Sequence, residues 1–268
     1  MFFKELSDTL MLDLLNNDNA FWVFPIKKDD QKRIRGVATQ LHSNDAKPVD
    51  PIKTRDELVG SLNSIIDSAF VFYYEKPSAE RDSLSPMVRK AANSIVSAVR
   101  KTIHLVIQKV FKKMSLHDLK GMAAYLDSMA ISEASEDAQA YLGFPLKEEL
   151  RQQLVRLMTS ITEGTHIEQY SSEILRFFSD VVQESTHHYY HKPMALVNVG
   201  GFAKKAADLG IDTTEKGILR LIKRVLRDIS HDDIKDLPEN IHFVVITLDL
   251  PYEACTPKFI ENKFGMDC

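Results

Sequence analysis

From Ser83 to His117 the chain carries seven bases, Arg89, Lys90, Arg100, Lys101, Lys109, Lys112 and Lys113, and no acid. Val88, Ala92, Ile95, Val99, Ile103, Val106 and Val110 recur through the same stretch every three or four residues. That spacing predicts a helix from Pro86 to Lys113 with one apolar stripe over about seven turns. Ser85 supplies the hydroxyl that the free amides of a first turn need, and Pro86 stands at the first helical position, where a missing N–H is no loss. A helix of this kind has to be covered along its stripe by other elements. Successive residues are about 100° apart, so Arg89, Lys90, Arg100, Lys101 and Lys112 share the sector opposite the stripe.

Further helix starts follow from capping chemistry. Thr54-Arg55-Asp56-Glu57 opens a run with Leu58, Leu62, Ile65, Ile66, Ala69 and Phe70 at helical spacing, and Ser115-Leu116-His117-Asp118 opens another that ends near Ile131. Pro145 and Thr165 mark two more starts, with Gly164 closing the helix between them. The Thr165 helix is expected to run to His191, because Pro193 removes a donor and crowds the preceding turn. Asp212 with Glu215 predicts a helix from Thr213 to Ile229, and Thr256 to Phe264 a short last one.

Strand signals lie near the two ends. Phe21-Trp22-Val23-Phe24 and Ile34 to Thr39 read as a hairpin about a polar turn, with Pro25 placing its strand at a sheet edge. Ile241 to Leu248, rich in Val and Ile, is the best single strand, expected to pair with the hairpin. The fold class is therefore mainly α with a small β-sheet (α+β). No repeat period or low-complexity tract is evident. Linkers are expected at Ser43–Lys53, Glu75–Leu84 and His191–Gly201, giving regions 1–84, 85–191 and 192–268 that are compatible with one body.

The 268 residues are 44% hydrophobic and carry 34 Lys plus Arg against 38 Asp plus Glu, for a net charge of −4. This composition excludes a collagen-like repeat and a disordered chain. The two cysteines, Cys255 and Cys268, lie close to the end and do not make a disulfide framework. The first residues lack the basic-then-apolar pattern of a signal peptide, and no apolar run reaches the length of a membrane span. A cytoplasmic protein with no membrane partner is the expectation.

The modest net charge hides a segregation. Beside the acid-free stretch stand Lys27, Lys28, Lys32, Arg33 and Arg35, and Lys204 to Arg227 with seven bases against Asp208, Asp212 and Glu215. Clustered bases attract polyanions through counterion release. Phe202 to Ile211 followed by the Asp212 helix also has the outline of a helix-turn-helix, with Ala206 four residues before the turn residue Gly210. Lys216 departs from that pattern, since an apolar residue is expected there, and an ordinary helical hairpin fits the same residues. The expected nucleic-acid contacts are Arg89, Arg100, Lys101, Lys112, Lys204, Lys205, Arg220, Lys223 and Arg224. Packing of the basic helix beside the chain's own acids is the competing reading.

Asp180, Glu184, His187 and His191 fall within about 40° on the Thr165 helix, with His188 beside them. Glu184, His187 and His191 have the i, i+3 and i, i+4 spacings of bundle metal sites, and equally of exposed ion pairs. Val199-Gly200-Gly201, Asp249 and Cys255 are isolated signals without partners. Phe70, Phe72, Tyr73 and Tyr74 form an aromatic cluster at a helix end. No catalytic signature and no cofactor motif is present. The sequence points to a non-enzymatic protein binding an anionic partner, with DNA preferred and a regulatory role expected. A helical interaction or oligomeric scaffold subunit is the alternative, and a metal-dependent enzyme the third reading.

Overall fold

The computed structural model describes residues 19–43, 49–80, 85–132, 139–163 and 167–228, with 234, 237, 241 and 244–247. In chain order these form β1 (Ala20–Ile26), α1 (Lys28–His42), α2 (Pro51–Phe70), α3 (Pro86–Phe111), α4 (Leu116–Ser128), β2 (Ala130–Ser132), β3 (Ala140–Pro145), α5 (Glu148–Glu163), α6 (Ile167–Thr186), α7 (Gly201–Asp228) and β4 (Val245–Thr247). A π turn extends α2 through Val71–Glu75 into the helical Lys76–Glu80, and another extends α6 through His187–His191 into Lys192–Ala195. Helix dominates, around one antiparallel sheet of order β2-β3-β1-β4. The expectation of a mainly α protein with a small sheet holds.

The order strand, helix, helix with π turn and long helix occurs twice, in residues 20–111 and 140–228, and each half ends on a short strand, β2 after α4 in the first and β4 in the second. Ala20-Phe21-Trp22-Val23-Phe24-Pro25-Ile26-Lys27 matches Ala140-Tyr141-Leu142-Gly143-Phe144-Pro145-Leu146-Lys147, and Tyr73-Tyr74-Glu75-Lys76-Pro77 matches Tyr189-Tyr190-His191-Lys192-Pro193. Arg89-Lys90-Ala91-Ala92-Asn93 answers Lys204-Lys205-Ala206-Ala207-Asp208. The chain is thus an internal duplication, contrary to the expectation of no repeat. The shift drifts from 120 positions (Val23 to Gly143) to 116 (Tyr74 to Tyr190) and 115 (Lys90 to Lys205). Connecting segments of different length blur any single period.

The two halves are related by a pseudo-twofold axis. β1 pairs antiparallel with β3, and Val23 faces its own counterpart Gly143 on the axis. β2 pairs with β3 while its counterpart β4 pairs with β1, so each half closes the other's edge. The Gly143 N–H donates to Met129 O, and Val23 repeats that bond to Val244 O, 115 positions on from Met129. Both cores are shared in the same way. One gathers Phe24 and Ile26 with Ala140 and Leu142; the other gathers Phe144 and Leu146 with Ala20 and Trp22.

Several local expectations are corrected. Ile34–Thr39 belongs to helix α1, not to a hairpin, because Ile34, Val37 and Ala38 bury one helical face, as Leu154, Leu157 and Met158 do in α5. β1 is a central strand. Pro25 is tolerated because its nitrogen points to the β4 side beyond the Val23–Val244 bond, where the Tyr73 hydroxyl donates to Val23 O at 2.8 Å. α2 starts at Pro51, not Thr54, with Asp50 accepting from the amides of Ile52 and Lys53. Pro145 ends β3 instead of starting a helix.

Pro193 does not stop α6, because the π turn shifts bonding to i→i+5, as in Lys192 N–H to His187 O. The carbonyl that Pro193 leaves without a donor, that of His188, accepts the Tyr125 hydroxyl at 2.8 Å. The expected linkers at Glu75 and His191 accordingly begin as helix. Ile241 is helical, and the C-terminal strand is limited to Val245–Thr247 within the described residues, paired with β1 as expected. Ser85 and Ser115 cap α3 and α4 as read from sequence. Gly164, Thr165, Leu248, Asp249, Cys255, Cys268 and the Thr256 helix lie outside the described residues.

Candidate anion-binding face

α3 and α7 occupy the same place in the two halves and pack on each other. A Cβ on Gly210 would meet Val106 Cγ2 at 2.5 Å, and one on Gly217 would meet Val99 Cγ2 at 2.6 Å. As one index rises by seven the other falls by seven, so the helices run antiparallel. The two glycines, two turns apart on one face of α7, set how closely the helices approach. α7 is continuous from Gly201 to Asp228, which removes the helix-turn-helix expected about Gly210. That glycine serves helix packing and not a turn.

Away from this seam, exposed positions along α3 and the turn that follows it run Met87, Lys90, Ser94, Ala98, Lys101, Leu105, Gln108 and Lys112. Their counterparts in α7, Phe202, Lys205, Leu209, Thr213, Lys216, Arg220, Lys223 and Arg227, are all exposed too. Five positions are basic in both halves: Arg89 with Lys204, Lys90 with Lys205, Lys101 with Lys216, Lys109 with Arg224 and Lys112 with Arg227. The antiparallel contacts bring Lys90 opposite the Arg227 end, Lys112 opposite Lys205, and Lys101 and Lys216 to the middle. Charge segregation along the chain therefore becomes one two-helix face, with Asp212 as its exposed acid among the described residues.

Not every expected base belongs to it. Arg100 turns inward: its guanidinium lies 3.4 Å from Asp67 and 2.5 Å from Glu75 and stacks 5.0 Å from the centroid of the Phe70 ring. Arg89 is half-buried beside an open hollow of about 400 Å³ lined by Tyr74, Glu75, Asn93, Ser97 and Arg100. Lys90, Lys101 and Lys112 have no ion-pair partner among the described residues and are exposed. In the third basic segment, Arg33 pairs with Asp30 at 3.3 Å and Arg35 with Asp127 at 3.2 Å. Those charges are used within the fold. What sequence reasoning missed is Phe202, Met87 and Leu209 in the same rows, legible only once the duplication aligns them.

The His-rich stripe does not assemble as read. A π turn carries an extra residue, so from His187 onward the 100° spacing fails. His188, not His187 or His191, faces inward, with its ring stacked on Phe144 at 5.1 Å. Glu184 accepts from Lys147 Nζ at 2.6 Å, while His187 and His191 are exposed. Among the described residues no group of three or more His, Cys, Asp or Glu is placed to hold a metal ion. Burial, followed by the charge of Lys192, pushes His188 down to about 3. The imidazole is neutral and accepts from Lys192 Nζ, 3.4 Å from Nδ1.

No protein-family model matches the chain, and neither a curated protein nor a solved structure resembles it significantly.

Proposed function

We propose that the protein is a non-enzymatic binding protein for an anionic partner, held on the α3/α7 face. The observation that supports this is the pairing of bases at equivalent positions of two antiparallel helices, most of them turned to solvent. Such a row gains affinity by releasing the counterions condensed on a polyanion. Two packed helices are together about 20 Å across, wider than a major groove of about 12 Å. Arg220, Lys223 and Arg224 therefore meet the partner's charge and not base edges.

The test is binding to a labelled DNA duplex, used as a generic polyanion. Lys101→Glu with Lys216→Glu removes the centre of the face; Lys32→Glu with Arg156→Glu makes the same charge change on α1 and α5. The first pair is expected to weaken binding by about tenfold or more and the second to change it little. Equal losses in both would reduce the effect to net charge and contradict the reading.

A further inference from the structure

Four bulky apolar side chains stand in the basic rows: Phe202 is 90% exposed, Met87 77%, Leu209 68% and Leu105 46%. Met87 and Phe202 occupy the same position in the two halves, each two residues before its basic pair, Arg89-Lys90 or Lys204-Lys205. Because α3 and α7 are antiparallel, these two lie at opposite ends of the face, about 40 Å apart along the helix axes at 1.5 Å per residue. Leu209 and Leu105 lie between them.

A phosphate backbone rewards the lysines and leaves these four side chains in water. From this geometry we infer that the partner is the surface of an anionic lipid bilayer; the inference rests on the anion-binding reading and narrows it. The bases meet lipid phosphates and carboxylates, while Met87, Phe202, Leu105 and Leu209 enter the boundary between headgroups and acyl chains. Apolar anchors at both ends hold two antiparallel helices flat against a flat surface. Among the described residues no helix is long and apolar enough to cross a membrane, so the contact is with the surface. The absence of a spanning run in the sequence bears on spanning alone.

The full chain is sedimented with vesicles of phosphatidylcholine alone and of three parts phosphatidylcholine to one part phosphatidylserine, with duplex DNA titrated in parallel. Binding is expected on the anionic vesicles only. Met87→Ser with Phe202→Ser should weaken it about tenfold while leaving DNA binding unchanged. Lys101→Glu with Lys216→Glu should weaken both. Leu105→Ser with Leu209→Ser is the second apolar variant, and helical content by circular dichroism checks that each is folded. Binding to DNA but not to vesicles overturns the bilayer and leaves the anion-binding reading standing. Vesicle binding indifferent to both apolar pairs also overturns it, and binding to neither probe overturns both readings.

Discussion

Tyr190 donates its hydroxyl to Asp208 Oδ1 over 2.7 Å, joining the π turn after α6 to the first turns of α7. Tyr74 makes the same bond at the same length to Asn93 Oδ1 in the other half. An amide oxygen and a carboxylate oxygen are thus interchangeable acceptors there. Burial, reinforced by the Asp208 carboxylate, pushes the Tyr190 phenol above its ordinary range, so it stays a donor. Asp208→Asn is expected to leave stability within about 0.5 kcal/mol, while Tyr190→Phe costs about 1–2 kcal/mol. Urea denaturation of the two variants checks this; equal losses would contradict it.

His188 predicts a pH dependence. An unfolded imidazole binds its proton near pH 6.5; in the fold burial lowers that value to about 3. Glu184 Oε2 lies 3.9 Å from Nε2, but Glu184 is held by Lys147 and does not keep a proton on the ring. Between the two values the unfolded chain binds the extra proton. Stability from this group is complete above pH 6.5 and is lost as pH falls toward 3, at on the order of 1 kcal/mol per pH unit. The first half carries Phe72 at this position, so His188→Phe should flatten the profile over that window. An unchanged slope in denaturant titrations at several pH values would contradict the assignment.

Gly217 and Gly210 predict a paired effect. Alanine favours a helix by up to about 1 kcal/mol over glycine, but here its Cβ falls inside the contact distance of a valine on the facing helix. Overpacking costs about 1–3 kcal/mol, so Gly217→Ala should destabilise on balance. Adding Val99→Ala makes room and should recover part of the loss. A thermal melt in which the double variant is less stable than the sum of the two single changes would contradict the packing.

The parts of this fold legible in sequence are those decided within a few residues. The Ser85-Pro86 start and the Ser115/Asp118 capping box depend on a hydroxyl or carboxylate meeting an amide three positions away, and both are present. Part of α1 reads as strand in the sequence because Ile34, Val37 and Thr39 have strand-like side chains, while burial of Ile34, Val37 and Ala38 is decided by α2 and α4 packing from outside the segment. The π turns were hidden because nothing local forces an i→i+5 bond. Their consequence is that His188, not His187, is covered. The basic rows were legible in α3, yet their doubling was not, since only an alignment of Lys90 with Lys205 and Lys101 with Lys216 shows them as one face.

The central claim is that these doubled bases hold an anionic partner, and its most direct measurement is the salt dependence of binding to a duplex. Affinity is measured from low to moderate salt for the wild type and for Lys101→Ala with Lys216→Ala. The wild type should give a straight log–log line with a slope of about −0.9 for each phosphate engaged, and the variant a slope shallower by roughly 2. The same slope in both proteins, or no binding at low salt to the duplex and to anionic vesicles alike, would contradict the account.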